Sequence, residues 1–97
     1  MAKLRLTSDA RADLADIDDW SFQIFGRDVA DEYIYGLQQA FALLRKHPQA
    51  GQARPEIAND IRCLIHRSHR IFYSIENDLV LIRRVVHSKR EAKRLLQ

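Results

Sequence analysis

The side chains best equipped for chemistry are nine cations in the second half of the chain: Arg62, Arg67, Arg70, Arg83, Arg84, Lys89, Arg90, Lys93 and Arg94. An arginine on an open sheet face or at a strand end presents a planar fork. It can grip phosphate bidentately or stabilise a charged transition state. Arg70 and Arg90 fit that role as well as they fit plain solubilisation, whereas Lys93 and Arg94 suit the end of a helix, where cations meet the macrodipole. Other reactive residue types form no constellation. His66, His69 and His87 lack a standard ligand spacing and have no second cysteine to assist, so neither a metal site nor a cofactor is expected. No serine or cysteine has a base and an orienting acid beside it, which leaves conventional hydrolase chemistry unsupported. Cys63 lies in an apolar stretch and reads as a buried, inert thiol. The three glycines, at 26, 36 and 51, make no phosphate-cradling loop. Asp9, Asp13, Asp16, Asp18 and Asp19 mirror an apolar stripe and read as the solvated face of a helix.

The elements that must position these cations follow from periodicity. Lys3 to Leu6 alternates like a short strand, with Leu4 and Leu6 inward. Ser8 offers an N-cap, and Ala10, Leu14, Ile17, Trp20 and Ile24 then recur at helical spacing until Gly26. A second helix starts after Asp28 with Ala30, Tyr33, Leu37, Phe41 and Leu44 on its apolar face, flanked by Ile34 and Ala40. It ends at His47-Pro48, since a residue before proline is pushed out of the α region. Residues 48–60 form one long irregular stretch holding both prolines. A three-stranded meander follows: residues 61–65, 70–75 and 79–86, the last two joined by the turn residues Asn77-Asp78.

Pairing across that turn sets Ile75 opposite Val80, Tyr73 opposite Ile82 and Ile71 opposite Arg84. Those residues form the more apolar face, expected to meet the helices. Arg70, Phe72, Ser74, Leu79, Leu81 and Arg83 fall on the other, mixed face, the better working surface. The register of residues 61–65 stays open, because a two-residue and a three-residue turn near Arg67-Ser68 send Cys63 to opposite faces. Ser88-Lys89-Arg90-Glu91 is a capping box that should start a short C-terminal helix. The fold class is therefore α+β, in the order β-α-α-β-β-β, with a helical hairpin packed on a small antiparallel sheet and a short terminal helix.

Composition narrows the setting. The 97 residues suit a single domain over 1–97, and 46% hydrophobic against 30% charged is ordinary globular usage. No apolar run approaches the roughly 18 residues of a membrane span, the N-terminus lacks a signal peptide's apolar stretch, and one cysteine makes no internal disulfide. A cytoplasmic protein is expected. Residues 1–50 carry six Lys/Arg against eight Asp/Glu, for −2, while residues 51–97 carry ten against five, for +5. A polar partner surface in the basic back half follows from that asymmetry, whether the partner is nucleic acid or acidic protein.

Several stretches together resemble the ParE branch of the ParE/RelE toxin family. They are Arg62 in the first meander strand, His69 to Tyr73 (HRIFY), Arg84 to His87 (RVVH) with the basic pair Lys89-Arg90, and the His47 to Gly51 loop (HPQAG) after a helical hairpin. The resemblance covers essentially the whole chain. It implies a toxin of a type II toxin–antitoxin system that poisons DNA gyrase without enzymatic activity and is held inactive by a ParD-like antitoxin in a hetero-oligomer.

The sister RelE branch instead cleaves messenger RNA on the ribosome with arginines, lysines and a tyrosine. Arg70 and Arg90 match two of those arginines, but Ile61 and Cys63 stand where that branch has lysines, and Leu96 where it has a tyrosine. Each acid–base group of this kind is worth about 10²–10⁴-fold, so their loss favours the ParE reading. On it, Arg70, Arg83, Lys89 and Arg90 are the target-binding residues. Trp20, Phe25, Phe72, Leu79 and Leu81 are the apolar residues expected to meet the antitoxin. An RNase using Arg70 and Arg90, and a member that only binds its antitoxin, are the alternatives.

Overall fold

The computed structural model of the chain describes residues 1–90, so most of the expected C-terminal helix lies outside the described residues. Strand β1 (Lys3–Leu6) leads into helices α1 (Ser8–Phe25) and α2 (Arg27–Lys46), followed by strands β2 (Gln52–Ala53), β3 (Arg62–His66), β4 (His69–Glu76) and β5 (Leu79–His87). The five strands are ordered β1-β5-β4-β3-β2. The α+β class and the helical hairpin on a sheet are as expected. The sheet is larger than the meander, however, and it is mixed: β1 runs parallel to β5, and the 48–60 stretch contributes the two-residue β2.

Local chemistry explains where the helices begin and end. Thr7, not Ser8, caps α1: its hydroxyl accepts from the Ala10 amide at 3.0 Å. Gly26, at φ +90° and ψ 176°, ends α1 and starts α2 in one residue. That backbone conformation is open to glycine and strained for any side chain. The α2 face is as its periodicity predicts, with Ala30, Leu37, Ala40, Phe41 and Leu44 buried. The α1 stripe holds only at first. Ala10 is buried and Leu14 and Ile17 are half-buried, but Trp20 and Ile24 are exposed. Ser21 takes the buried place instead, so the last turns of α1 carry their large side chains away from the core.

Two apolar clusters sandwich the sheet. On the helical side, Leu37, Phe41 and Leu44 pack with Ile71, Tyr73, Val80, Ile82 and Val85. On the other side, Ile61, Cys63, Phe72 and Val86 pack beneath Ile57 and Ala58 from the loop ahead of β3. Completely burying one such aliphatic or aromatic side chain contributes about 1.5–3 kcal/mol.

The expected register holds for Ile75↔Val80 and Tyr73↔Ile82, then slips. Phe72 pairs with Arg84 and Ile71 with Val85, so Arg83 is an extra residue in a β-bulge. The expected pairing of Ile71 with Arg84 is thereby corrected. The β3–β4 turn is the two-residue one at Arg67-Ser68, with Arg67 at φ 53°, and it sets Cys63 opposite Phe72 in the second cluster.

The bulge is held by polar groups from β1 and α1. The Thr7 amide donates to the Ile82 carbonyl at 3.0 Å and the Thr7 hydroxyl to the Arg83 carbonyl at 2.8 Å. Asp13 accepts from Arg84 Nε at 2.8 Å, from its second guanidinium nitrogen at 2.9 Å, and from the Val85 amide at 2.9 Å. Asp13 is thus not part of a solvated face; it is a buried structural carboxylate. Asp18 also has a partner, pairing with Arg27 across the hairpin.

Candidate functional site

Lys93 and Arg94 lie outside the described residues, and the other seven cations divide into structural and unengaged groups. Arg84 is committed to Asp13. Arg62 donates from Nε to the Gly51 carbonyl at 3.0 Å and from a terminal nitrogen to the Gln49 carbonyl at 3.1 Å. Tyr73 holds the same loop, donating to the Pro48 carbonyl at 2.6 Å and accepting from the Gly51 amide at 2.8 Å. A Cβ at Gly51 would lie 2.6 Å from the Tyr73 hydroxyl and 2.9 Å from the Cys63 carbonyl, so this close approach requires glycine. Tyr73 is core, as expected, and its hydroxyl also pins the loop.

The predicted target-binding residues are of the unengaged kind. Among the described residues, no side-chain hydrogen bond or ion pair engages Arg70, Arg83, Lys89 or Arg90. Arg70 lies in β4 opposite Val86 and Ile65, and Lys89 and Arg90 follow directly on the end of β5. The structure therefore gathers Arg70, Lys89 and Arg90 at one end of the β4–β5 ladder, with Arg67 in the adjoining turn. Arg83 sits farther along β5, at the bulge.

The same end carries a row of histidines that no spacing rule revealed. His66 pairs with His69 across β3–β4, and His69 with His87 across β4–β5. Tyr33 of α2 meets both His66 and His69 edge-on, and its hydroxyl shares a 2.5 Å hydrogen bond with His69 Nδ1. Burial, and then the neighbouring His87 and His66, push His69 below the ordinary histidine value. Burial, with Arg67 nearby, does the same to His66. Among the described residues, no three His, Cys, Asp or Glu side chains converge as a metal cluster.

Ile61 and Cys63, the two positions that carry lysine in the RelE branch, are 2% and 5% exposed. Burial pushes the Cys63 thiol up, against the smaller opposing pull of Arg54 and Arg70, so it is a poor source of thiolate.

Of the predicted antitoxin-facing residues, Phe72 is corrected. It is fully buried beneath the 54–61 loop, which folds back through the Arg54 amide–Ile61 carbonyl hydrogen bond and lays Ile57 and Ala58 over the second cluster. Leu79 and Leu81 are half-exposed. Trp20 and Phe25 are about 60% exposed and pack edge to face at 5.9 Å. Phe22, Ile24 and Val29 are exposed beside them in sequence, so the tip of the α1–α2 hairpin presents five large apolar side chains to solvent. Helical periodicity places Ile24 in the apolar stripe of α1 and singles out neither Phe22 nor Val29. No described helix is long and apolar enough to cross a membrane.

Comparison with known proteins agrees with this architecture. The family model described as the ParE toxin of the type II toxin–antitoxin system parDE matches residues 4–92. Toxin ParE1 of Caulobacter vibrioides is 32% identical over 93 residues, which is 96% of each chain. Toxin ParE1 of Mycobacterium tuberculosis is 32% identical over 92 residues, 94% of each. A structure titled as the chromosomal ParDE toxin–antitoxin system from P. aeruginosa superposes with a TM-score of 0.80 at 22% identity, covering 92% of this chain and 98% of that one, and shares the fold. With a family match across nearly its full length and relatives of equal size, the chain belongs to the ParE toxin family of parDE type II toxin–antitoxin systems.

Proposed function

We propose that this ParE-family toxin acts in the cytoplasm on DNA gyrase, binding it through Arg70, Arg83, Lys89 and Arg90, and that it does so without catalysis. The observation that carries this reading is the burial of Ile61 and Cys63 where an RNA-cleaving relative has lysines. A buried isoleucine and a high-pKa thiol supply neither proton transfer nor charge to a scissile phosphate, whereas unengaged arginines and a lysine at a sheet end bind an anionic or acidic surface without any such groups. A ParD-like antitoxin covers the hairpin tip at Trp20 and Phe25 and reaches the half-exposed Leu79 and Leu81. Exposed aromatic area of this kind offsets the ordering entropy of a flexible partner.

Overproduction in cells tests the reading. The expected result is growth arrest with DNA breakage and intact messenger RNA, weakened by Arg70→Ala or Arg90→Ala. Messenger-RNA cleavage that disappears in Arg90→Ala would instead make the chain a ribosome-dependent RNase. Absence of growth inhibition with tight antitoxin binding would make it a non-toxic member.

A further inference from the structure

Where the middle of α1 passes the end of β4–β5, a cavity of about 320 Å³ opens, and it includes Trp20 and Arg90 of the surfaces proposed above. Its volume lies within the range of small-molecule sites. Ile17, Val85 and Val86 supply apolar walls, and Trp20, His87 and Arg90 line it as well. The carboxylate of Asp13, which also lines it, is already matched by Arg84 and adds little repulsion toward an anion. Asp16, exposed and on the same face of α1 as Ile17 and Trp20, is the other acid present.

These groups form a complementary set. The exposed indole of Trp20 and the imidazole of His87, which stands edge-on to His69 at 5.6 Å, offer flat surfaces for stacking. The Arg90 guanidinium is an unengaged fork suited to a phosphate, with Lys89 next to it in sequence. The Asp16 carboxylate accepts from an exocyclic amine such as cytosine N4; thymine puts the O4 carbonyl in that place, a repulsive contact, and keeps N3–H as its one donor on that edge. We propose that this cavity binds a nucleotide, with the base against Trp20, an amine-bearing base edge toward Asp16 and the phosphate toward Arg90. The nucleotide comes either free or as one unit of a single strand. The inference concerns binding by the chain alone and is independent of gyrase.

Trp20 is the chain's one tryptophan, so its fluorescence reports on the cavity directly. The purified chain is titrated with dCMP, dTMP, deoxycytidine and a short cytosine-rich single strand. Saturable quenching is expected, stronger for dCMP than for dTMP or deoxycytidine. Arg90→Ala should weaken dCMP binding roughly tenfold and remove its advantage over deoxycytidine. Asp16→Asn should erase the preference for dCMP over dTMP while leaving the phosphate dependence intact. Both positions are exposed, so both variants keep the fold. A single strand binding far more tightly than dCMP would identify strands as the source, and equal affinity would identify free nucleotide. The proposal is overturned by no saturable change at concentrations above about 1 mM, by unchanged dCMP affinity in Arg90→Ala, or by quenching with an acidic aromatic peptide and with no nucleotide.

Discussion

Replacing Asp13 with alanine should be among the most damaging single changes that leave the apolar core untouched. The carboxylate lies in the second turn of α1 and the Arg84 guanidinium in β5, with side chains only 10% and 16% exposed. Three donors converge on it, two from Arg84 and one from the Val85 amide. Removing one member of a buried, bidentate pair costs about 3–5 kcal/mol, and the residual exposure of this pair argues for the lower end of that range. The Val85 amide loses its acceptor in the same variant, which costs about 1–3 kcal/mol more if water does not reach it. With the pair at the lower end of its range and the amide adding at most about 1 kcal/mol, a loss of about 3–4 kcal/mol is expected, which for a domain of this size lowers Tm by roughly 12–25 °C. Urea and thermal unfolding of Asp13→Ala, Arg84→Met and the double variant measure it. The double variant should be less destabilised than the sum of the singles by at least about 1.5 kcal/mol, because it leaves no charge behind. Additive losses, or a cost below about 1 kcal/mol for Asp13→Ala, would refute the view that this pair fastens α1 to the bulge.

Tyr73→Phe removes both hydroxyl contacts to the 48–51 loop and should cost about 1–3 kcal/mol, with faster amide hydrogen exchange at Gly51 as its local signature. Gly51→Ala should cost at least as much, since the new methyl meets the Tyr73 ring and the Cys63 backbone, and adding Tyr73→Phe should relieve only the part due to the hydroxyl. Acid should weaken the fold through His69 and His66. Both are held below their ordinary value, so the folded state binds fewer protons than the unfolded chain. Their contribution is complete above the unfolded value of about 6.5 and is lost as pH falls toward the folded values. His69→Gln should flatten the decline in denaturant midpoint between about pH 7 and pH 5, and an unchanged slope would assign the decline to other groups.

Much of this fold is legible in the residues themselves. The α2 stripe, the proline stop after His47 and the Asn77-Asp78 turn place the hairpin and the start of the β4–β5 register without tertiary information. What escapes notice is set by distant partners. Asp13 looks like its solvated neighbours because Arg84, the residue that distinguishes it, is 71 positions away. The Arg83 bulge is invisible to a period of two, since an inserted residue becomes favourable only when Thr7 and Asp13 satisfy the backbone around it. A four-residue β1 carries no mark of its parallel partner. Trp20 and Ile24 keep helical spacing after α1 has run past the core, because periodicity marks a face and not where the covering layer ends. Phe72 shows the opposite failure. Its mixed sheet face is covered by a loop whose few apolar residues, Ile57 and Ala58, give no sign of where they settle.

A gyrase assay with purified toxin, scoring both supercoiling and trapped DNA cleavage with and without antitoxin, decides whether gyrase is the target. Inhibition with accumulated cleavage complexes is expected, relieved by stoichiometric antitoxin and diminished in a folded Arg70→Ala/Arg90→Ala variant. Gyrase that supercoils normally, with no excess cleavage at saturating folded toxin, would contradict it and direct the search to another target.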